Sequence, residues 1–165
     1  MEIDASLLAD FPRASVHESG HALMAHLQQI ICYGIWFEED SERFASMTDL
    51  PISELLLQKH YLVLASGSAA ERICRGDYSP SGATFDKAYF EGSKAPSFDF
   101  TVGHAETILR PHKSAIRKLQ SILKEKFIAA EYQPLNLPGV IHNGRAYRVL
   151  LSDDELSEVV TGVNP

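Results

Sequence analysis

The sequence predicts a mainly α fold with one small β-hairpin or sheet. Apolar residues recur at helical spacing over several long stretches. Strand-like composition is concentrated near one polar turn, and clusters of Gly, Pro, Ser and Asp punctuate the rest. Val16, Leu23, Leu27, Ile30 and Ile31 fall near helical spacing and predict a first helix from about Arg13 to Ile31. Pro12 suits its first turn and Asp10 a cap before it. Tyr33 to Phe37, the turn Glu38 to Glu42 and Arg43 to Met47 read as a short hairpin. Ile52 to Cys74 is a second long helix, with Leu55, Leu56, Tyr61 or Leu62, Val63, Ala70 and Ile73 as its apolar surface. Gly67 inside it implies close packing or a kink. Arg75 to Gly82 is a loop, and a short helix begins near Ala83 or Thr84. Further helices are expected at about Phe98 to Leu109 and Lys113 to Ala130, ended by Gln133 to Gly139 with its two prolines. The tail holds an Asn143-Gly144 turn, a strand at Tyr147 to Leu151 and a short helix after Ser152.

With 165 residues and 18.3 kDa, the chain is expected to form a single domain over 1–165. An apolar fraction of 45% and a charged fraction of 22% exclude a disordered or fibrous chain. The net charge of −7 argues against a nucleic-acid partner. That charge is uneven: residues 1–105 carry net −8, residues 106–148 net +5 and residues 149–165 net −4. The basic stretch Arg110 to Lys126 is either a docking face or a solvated helix face. The N-terminus is acidic where a secretory signal would be basic. No apolar run approaches the roughly 20 residues of a membrane span, so no membrane anchor is expected. Cys32 and Cys74 form no CxxC pair and suit a reducing compartment, which makes cytoplasmic the expected location.

His17-Glu18-Ser19-Gly20-His21 carries the chemistry. Residues i and i+4 share a helix face, so both imidazoles can bind one zinc ion, and Glu18 can serve as general base. Random placement of 7 histidines and 13 glutamates would give this pattern about 0.02 times in such a chain. The plainer readings are a pair of helix-surface histidines, or a Ser15-x-x-Glu18 capping box that makes Glu18 structural. A catalytic zinc needs a third protein ligand. Glu71, Asp77, Asp86, His60, His104 and His26 are the candidates, and spacing does not choose between them. Asp86 is also explained as an acid in a helix's first turn.

His17 to Ala22, HESGHA, resembles the HEAGHA of the peptidase domain of FtsH-type ATP-dependent zinc metalloproteases. Ser66 to Arg72 is similar, more loosely, to that family's Gly-Gly-Arg-Ala-Ala-Glu-Glu segment. Ser81 to Asp86 occupies the place of its Ser-Thr-Gly-Ala-Ser-Asn-Asp. The resemblance covers about residues 13–130 and leaves 131–165 as a tail. It implies a helical zinc metallopeptidase domain in which His17, His21 and Asp86 bind zinc and Glu18 is the catalytic base. Glu71 would then orient a ligand histidine from behind, or take part in a buried salt bridge. Ser68 replaces the family's Arg, Arg72 its second Glu and Phe85 the polar residue before the ligand; no GxxxxGK[ST] motif is present.

The expected function is therefore a zinc-dependent metallopeptidase acting on unfolded or flexible polypeptides. A separate ATPase or a second copy of the chain is the expected partner. The alternative is a catalytically inactive zinc-binding regulatory or docking module.

Overall fold

Helix α1 (Ala5–Leu27) is the axis on which the other elements pack. Ser15 to Ala25 are all buried, although a surface helix would bury only one stripe. The computed structural model describes residues 5–32, 34–39, 44–49, 57–92, 94–132, 140–143 and 146–162. Among these the fold is mainly helical, with a single small antiparallel sheet. Within them no helix is long and apolar enough to cross a membrane.

Both ends of α1 differ from expectation. Pro12 lies inside the helix rather than at its start. Its ring nitrogen donates no hydrogen bond, but its carbonyl receives the Ser15 hydroxyl at 3.3 Å and the Gln120 amide at 3.0 Å. Ser15 is thus mid-helix and caps nothing. The helix stops at Leu27, four residues early, because Gln29 turns left-handed at φ 58°. The Ile30 N–H then bonds the Ala25 carbonyl and the Gln29 N–H that of His26, closing a Schellman turn. Ile30 is buried just beyond it, while Ile31 is exposed.

Helix α2 (Leu57–Arg75) lies between α1 and a later helix, α4 (Phe98–Leu109). The expected start of α2 at Ile52, and the apolar roles of Leu55 and Leu56, fall outside the described residues. From Ala65 to Ala70 this helix carries six small residues in succession, all buried, so neighbouring backbones approach closely on both sides. A Cβ on Gly20 of α1 would sit 2.7 Å from the Ala70 Cβ and collide with the Ser66 carbonyl.

The loop after α2 leads into a short helix, α3 (Thr84–Ala88), and Ser97 caps α4 through the Phe100 N–H. A 3-10 turn at Arg110–His112 joins α4 to α5 (Lys113–Tyr132). Ala115, Ile116, Leu119, Leu123 and Phe127 form the buried stripe of α5, and Phe127 stacks on Phe11 and meets Phe37 edge to face. Lys113, Arg117, Lys118 and Lys124 occupy its exposed side. Lys126 instead reaches Glu155 at 2.7 Å.

Strands β1 (Gly34–Glu39), β2 (Phe44–Asp49), β3 (Val140–Asn143) and β4 (Ala146–Val149) pair antiparallel in the order β2-β1-β4-β3. Glu38 and Glu39, expected in the turn, extend β1 opposite Ala45 and Phe44. The Gly144 side of the expected turn lies outside the described residues, as does Gln133 to Gly139. Alternation puts Ile35 and Phe37 on the buried face, and their cross-strand partners Thr48 and Ser46 share it. Trp36 points the other way, with the Arg148 guanidinium over its ring. Helix α6 (Asp153–Thr161) opens with a reciprocal Ser152–Glu155 capping box.

Two helix glycines, Gly20 at the α1–α2 crossing and Gly103 in α4, predict opposite outcomes. Gly20→Ala should destabilise the protein by about 1–3 kcal/mol in urea unfolding, because the added Cβ meets backbone. Gly103→Ala in α4, where a Cβ meets nothing within 4 Å, should stabilise by about 0.5–1 kcal/mol.

Candidate metal centre

His17 and His21 lie one turn apart on the face of α1 that meets α2. Their rings sit edge to face with centroids 4.7 Å apart. Gly67 of α2 lies beneath both: a Cβ there would be 2.5 Å from His17 Nε2 and 2.6 Å from His21 Nε2. The interior glycine noticed in the sequence is thus the floor of the site.

Each imidazole has its inner nitrogen fixed. His17 Nδ1–H donates to Glu71 Oε1 at 2.7 Å, and His21 Nδ1–H donates to the Val63 carbonyl at 2.6 Å. A carbonyl and a carboxylate only accept, so both Nδ1 atoms carry hydrogen and both Nε2 atoms are turned toward Asp86. Asp86, in the first turn of α3, completes the group. Its Oδ2 is 3.0 Å from His17 Nε2 and 3.4 Å from His21 Nε2. The three ligand atoms all lie within 4.8 Å of one another. Tetrahedral zinc with bonds near 2.0–2.1 Å would place its ligands about 3.3 Å apart. Two imidazoles with their Nδ1 atoms hydrogen-bonded, and one carboxylate oxygen converging on their Nε2 atoms, fit such an ion.

Of the third-ligand candidates, Asp86 alone joins the histidines. Buried Glu71 accepts from His17 Nδ1 through one oxygen and pairs with half-buried Arg13 at 2.7 Å through the other. Asp77 is exposed and binds Arg13 at 3.0 Å. His60 is buried near the start of α2, His104 is exposed on α4 and His26 is half-buried at the end of α1; none of the three belongs to the ligand group.

Glu18 is 2% exposed and turns toward the sheet. The Ser46 hydroxyl donates to its Oε1 at 2.7 Å and the Thr48 hydroxyl to its Oε2 at 2.6 Å. Sequence reading missed these two hydroxyls, although their i, i+2 spacing on a strand is the signal for one shared face. It also missed Arg13, which stands four residues before His17 at the same spacing that pairs the histidines. The Val63 carbonyl has no sequence signal, because every residue carries a backbone carbonyl.

Charge couples the three candidate ligands. Burial alone would lower the pKa of His17, but the Asp86 and Glu71 carboxylates, with Glu18 nearby, push it up to about 10. Burial lowers that of His21 too, and Asp86 more than reverses this despite the repulsion from His17. Asp86 is held well below the usual carboxylate range because the two imidazoles outweigh its burial.

These shifts fix the pH dependence of the metal-free protein. The raised His17 contributes stability that is complete below its ordinary value of 6.5 and is lost as pH rises through about 10. The depressed Asp86 contributes stability present above its ordinary 3.8 and lost as pH falls further. Chelator-treated protein should therefore be most resistant to urea between about pH 4 and 6.5 and weaken toward pH 10. Resistance that grows over the alkaline range would contradict this assignment. Metal affinity should follow the opposite trend and rise with pH, since binding displaces those protons. No protein-family model matches this chain, and no curated protein sequence matches it either.

Proposed function

We propose that the chain is a zinc-dependent metallopeptidase that hydrolyses peptide bonds of unfolded or flexible polypeptides. One observation carries the reading: two histidine nitrogens and Asp86 Oδ2 converge, with both inner nitrogens tied back, on the helix that also bears Glu18. The similarity of HESGHA and of the Ser81 to Asp86 segment to FtsH-type peptidase domains points the same way.

His17, His21 and Asp86 would hold the ion. Zinc in this position supplies Lewis acidity, which lowers the pKa of water and polarises a carbonyl. Glu18 takes a proton from the attacking water and passes it to the leaving amine. A carboxylate has about four lone-pair sites, and the Ser46 and Thr48 hydroxyls use two, so Glu18 is fixed in place and still able to accept. Strand β2 is at the edge of the sheet and carries both hydroxyls. An extended polypeptide added along that edge would be brought beside Glu18. Cys32 and Cys74 form no disulfide with each other, which suits a reducing cytoplasm.

The burial of Glu18 under two hydroxyls also suits a second reading, in which it ties α1 to the sheet and the chain is a zinc-binding module without turnover. Glu18→Gln separates the two. In the peptidase, the variant should retain stoichiometric zinc by mass spectrometry and lose about 10²-fold or more of its rate on labelled, unfolded casein. A variant that cleaves as fast as wild type would remove Glu18 from the mechanism. Wild-type protein with full zinc and no cleavage would favour the module.

A further inference from the structure

The arrangement around Glu71 explains how Asp86 reaches the histidines. Helix α3, which carries Asp86, has no buried residue of its own, so packing along its length does not set its position. The loop ahead of it does. Ser79 begins a run of tight turns: its carbonyl accepts the Ala83 N–H at 3.1 Å and its hydroxyl the Gly82 N–H at 3.3 Å. The Thr84 N–H then bonds the Ser81 carbonyl, and the Lys87 N–H the Ala83 carbonyl. Where Ser79 sits therefore determines where Asp86 sits.

Ser79 is tied to the same carboxylate as His17. Its backbone N–H donates to Glu71 Oε2 at 3.0 Å, while Oε1 accepts from His17. Glu71 is 1% exposed, and a buried carboxylate needs a cation and donors on both oxygens. Arg13 is that cation. Its Nη1 donates to Glu71 Oε2 at 2.7 Å and its Nη2 to Asp77 Oδ1, in the loop itself, at 3.0 Å. One planar guanidinium thus spans α1, α2 and the loop, which the single point charge of lysine could not do in the same way.

We propose that Arg13 is a positioning residue for the metal centre: it locks Glu71 and the loop from Asp77 to Ala83 together, so that His17 and Asp86 are presented in register. This rests on the reading that His17, His21 and Asp86 hold a metal. The motif then effectively begins one turn earlier, as Arg-x-x-x-His-Glu-x-x-His.

Zinc affinity by chelator competition, and the visible spectrum of the cobalt-substituted protein, test this on the full chain. Arg13→Gln should bind zinc about 10–100-fold more weakly than wild type and give an altered cobalt spectrum. Arg13→Lys should fall between the two, because it keeps the charge and loses the fork. The order wild type, Lys, Gln supports the proposal. If the Gln variant does not fold, a loss of about threefold or more in the Lys variant supports it. A Lys variant with wild-type affinity and spectrum overturns it. Wild-type protein that takes up no zinc overturns the metal reading beneath it, whereas normal uptake by wild type and variants alike overturns the role of Arg13 alone.

Discussion

The close crossing of α1 over α2 is the constraint from which the rest of the centre follows. Gly20 lets the α1 backbone meet the Ser66 carbonyl and the Ala70 Cβ, and Gly67 leaves room for the tips of both imidazoles. A methyl group at Gly67 would fall on both Nε2 atoms of the candidate metal group. Because the helices are this near, Glu71 and the Val63 carbonyl, both on α2, reach the Nδ1 atoms of α1 directly. With wider spacing those bonds would lengthen and the tautomers would no longer be fixed. The small residues Ala65 to Ala70 are thus part of the site's geometry, although none of their side chains is a ligand.

The sheet imposes the second constraint. Ile35 and Phe37 bury their side chains toward α1, and the register places Thr48 and Ser46 opposite them on that face. A one-residue slip would turn both hydroxyls to the far side and bring β2's intervening positions toward Glu18 instead. The apolar demand of β1 and the polar demand of Glu18 are therefore met by the same alternation. The two candidate ligand histidines and the adjacent glutamate are fixed by different neighbours, α2 for the first and β2 for the second, and α1 is the element common to both.

What could be read in the sequence was what local spacing encodes. The i, i+4 histidines, the limits of α4 and the start of α6 follow from periodicity and caps a few residues apart, and these agree with the structure. The ends of α1 do not follow so simply. Pro12 has a strong preference for first turns, but its carbonyl finds partners in Ser15 and in the distant Gln120, and the helix continues through it. The stop at Leu27 depends on Gln29 adopting a conformation usually left to Gly or Asn. β3 has only four residues and is defined by pairing with β4, so no pattern within it is long enough to show. Resemblance, not spacing, points to Asp86: it lies 65 positions after His21, and a loop anchored at Ser79 brings them together.

The polar groups of α1 bear on what the helix is for. Ser15, His17, Glu18, Ser19 and His21 are all buried within two turns of the protein's central helix. A helix in that place, built for stability alone, would be apolar, because even a well-paired buried ion network seldom outperforms hydrophobic packing of equal volume. Here every one of the five has a partner. The Ser15 and Ser19 hydroxyls turn back to the carbonyls of Pro12 and Ser15, and neither interferes with the centre. His17, Glu18 and His21 instead look outward to three different elements: α2, β2 and α3. Such a concentration of satisfied charge conflicts with the local rule that cores are apolar, and conflicts of this kind gather where chemistry requires them. The cost in stability falls on the same few residues whose atoms converge at the candidate metal position. The network is therefore better explained as the apparatus of a site than as a means of holding the fold together.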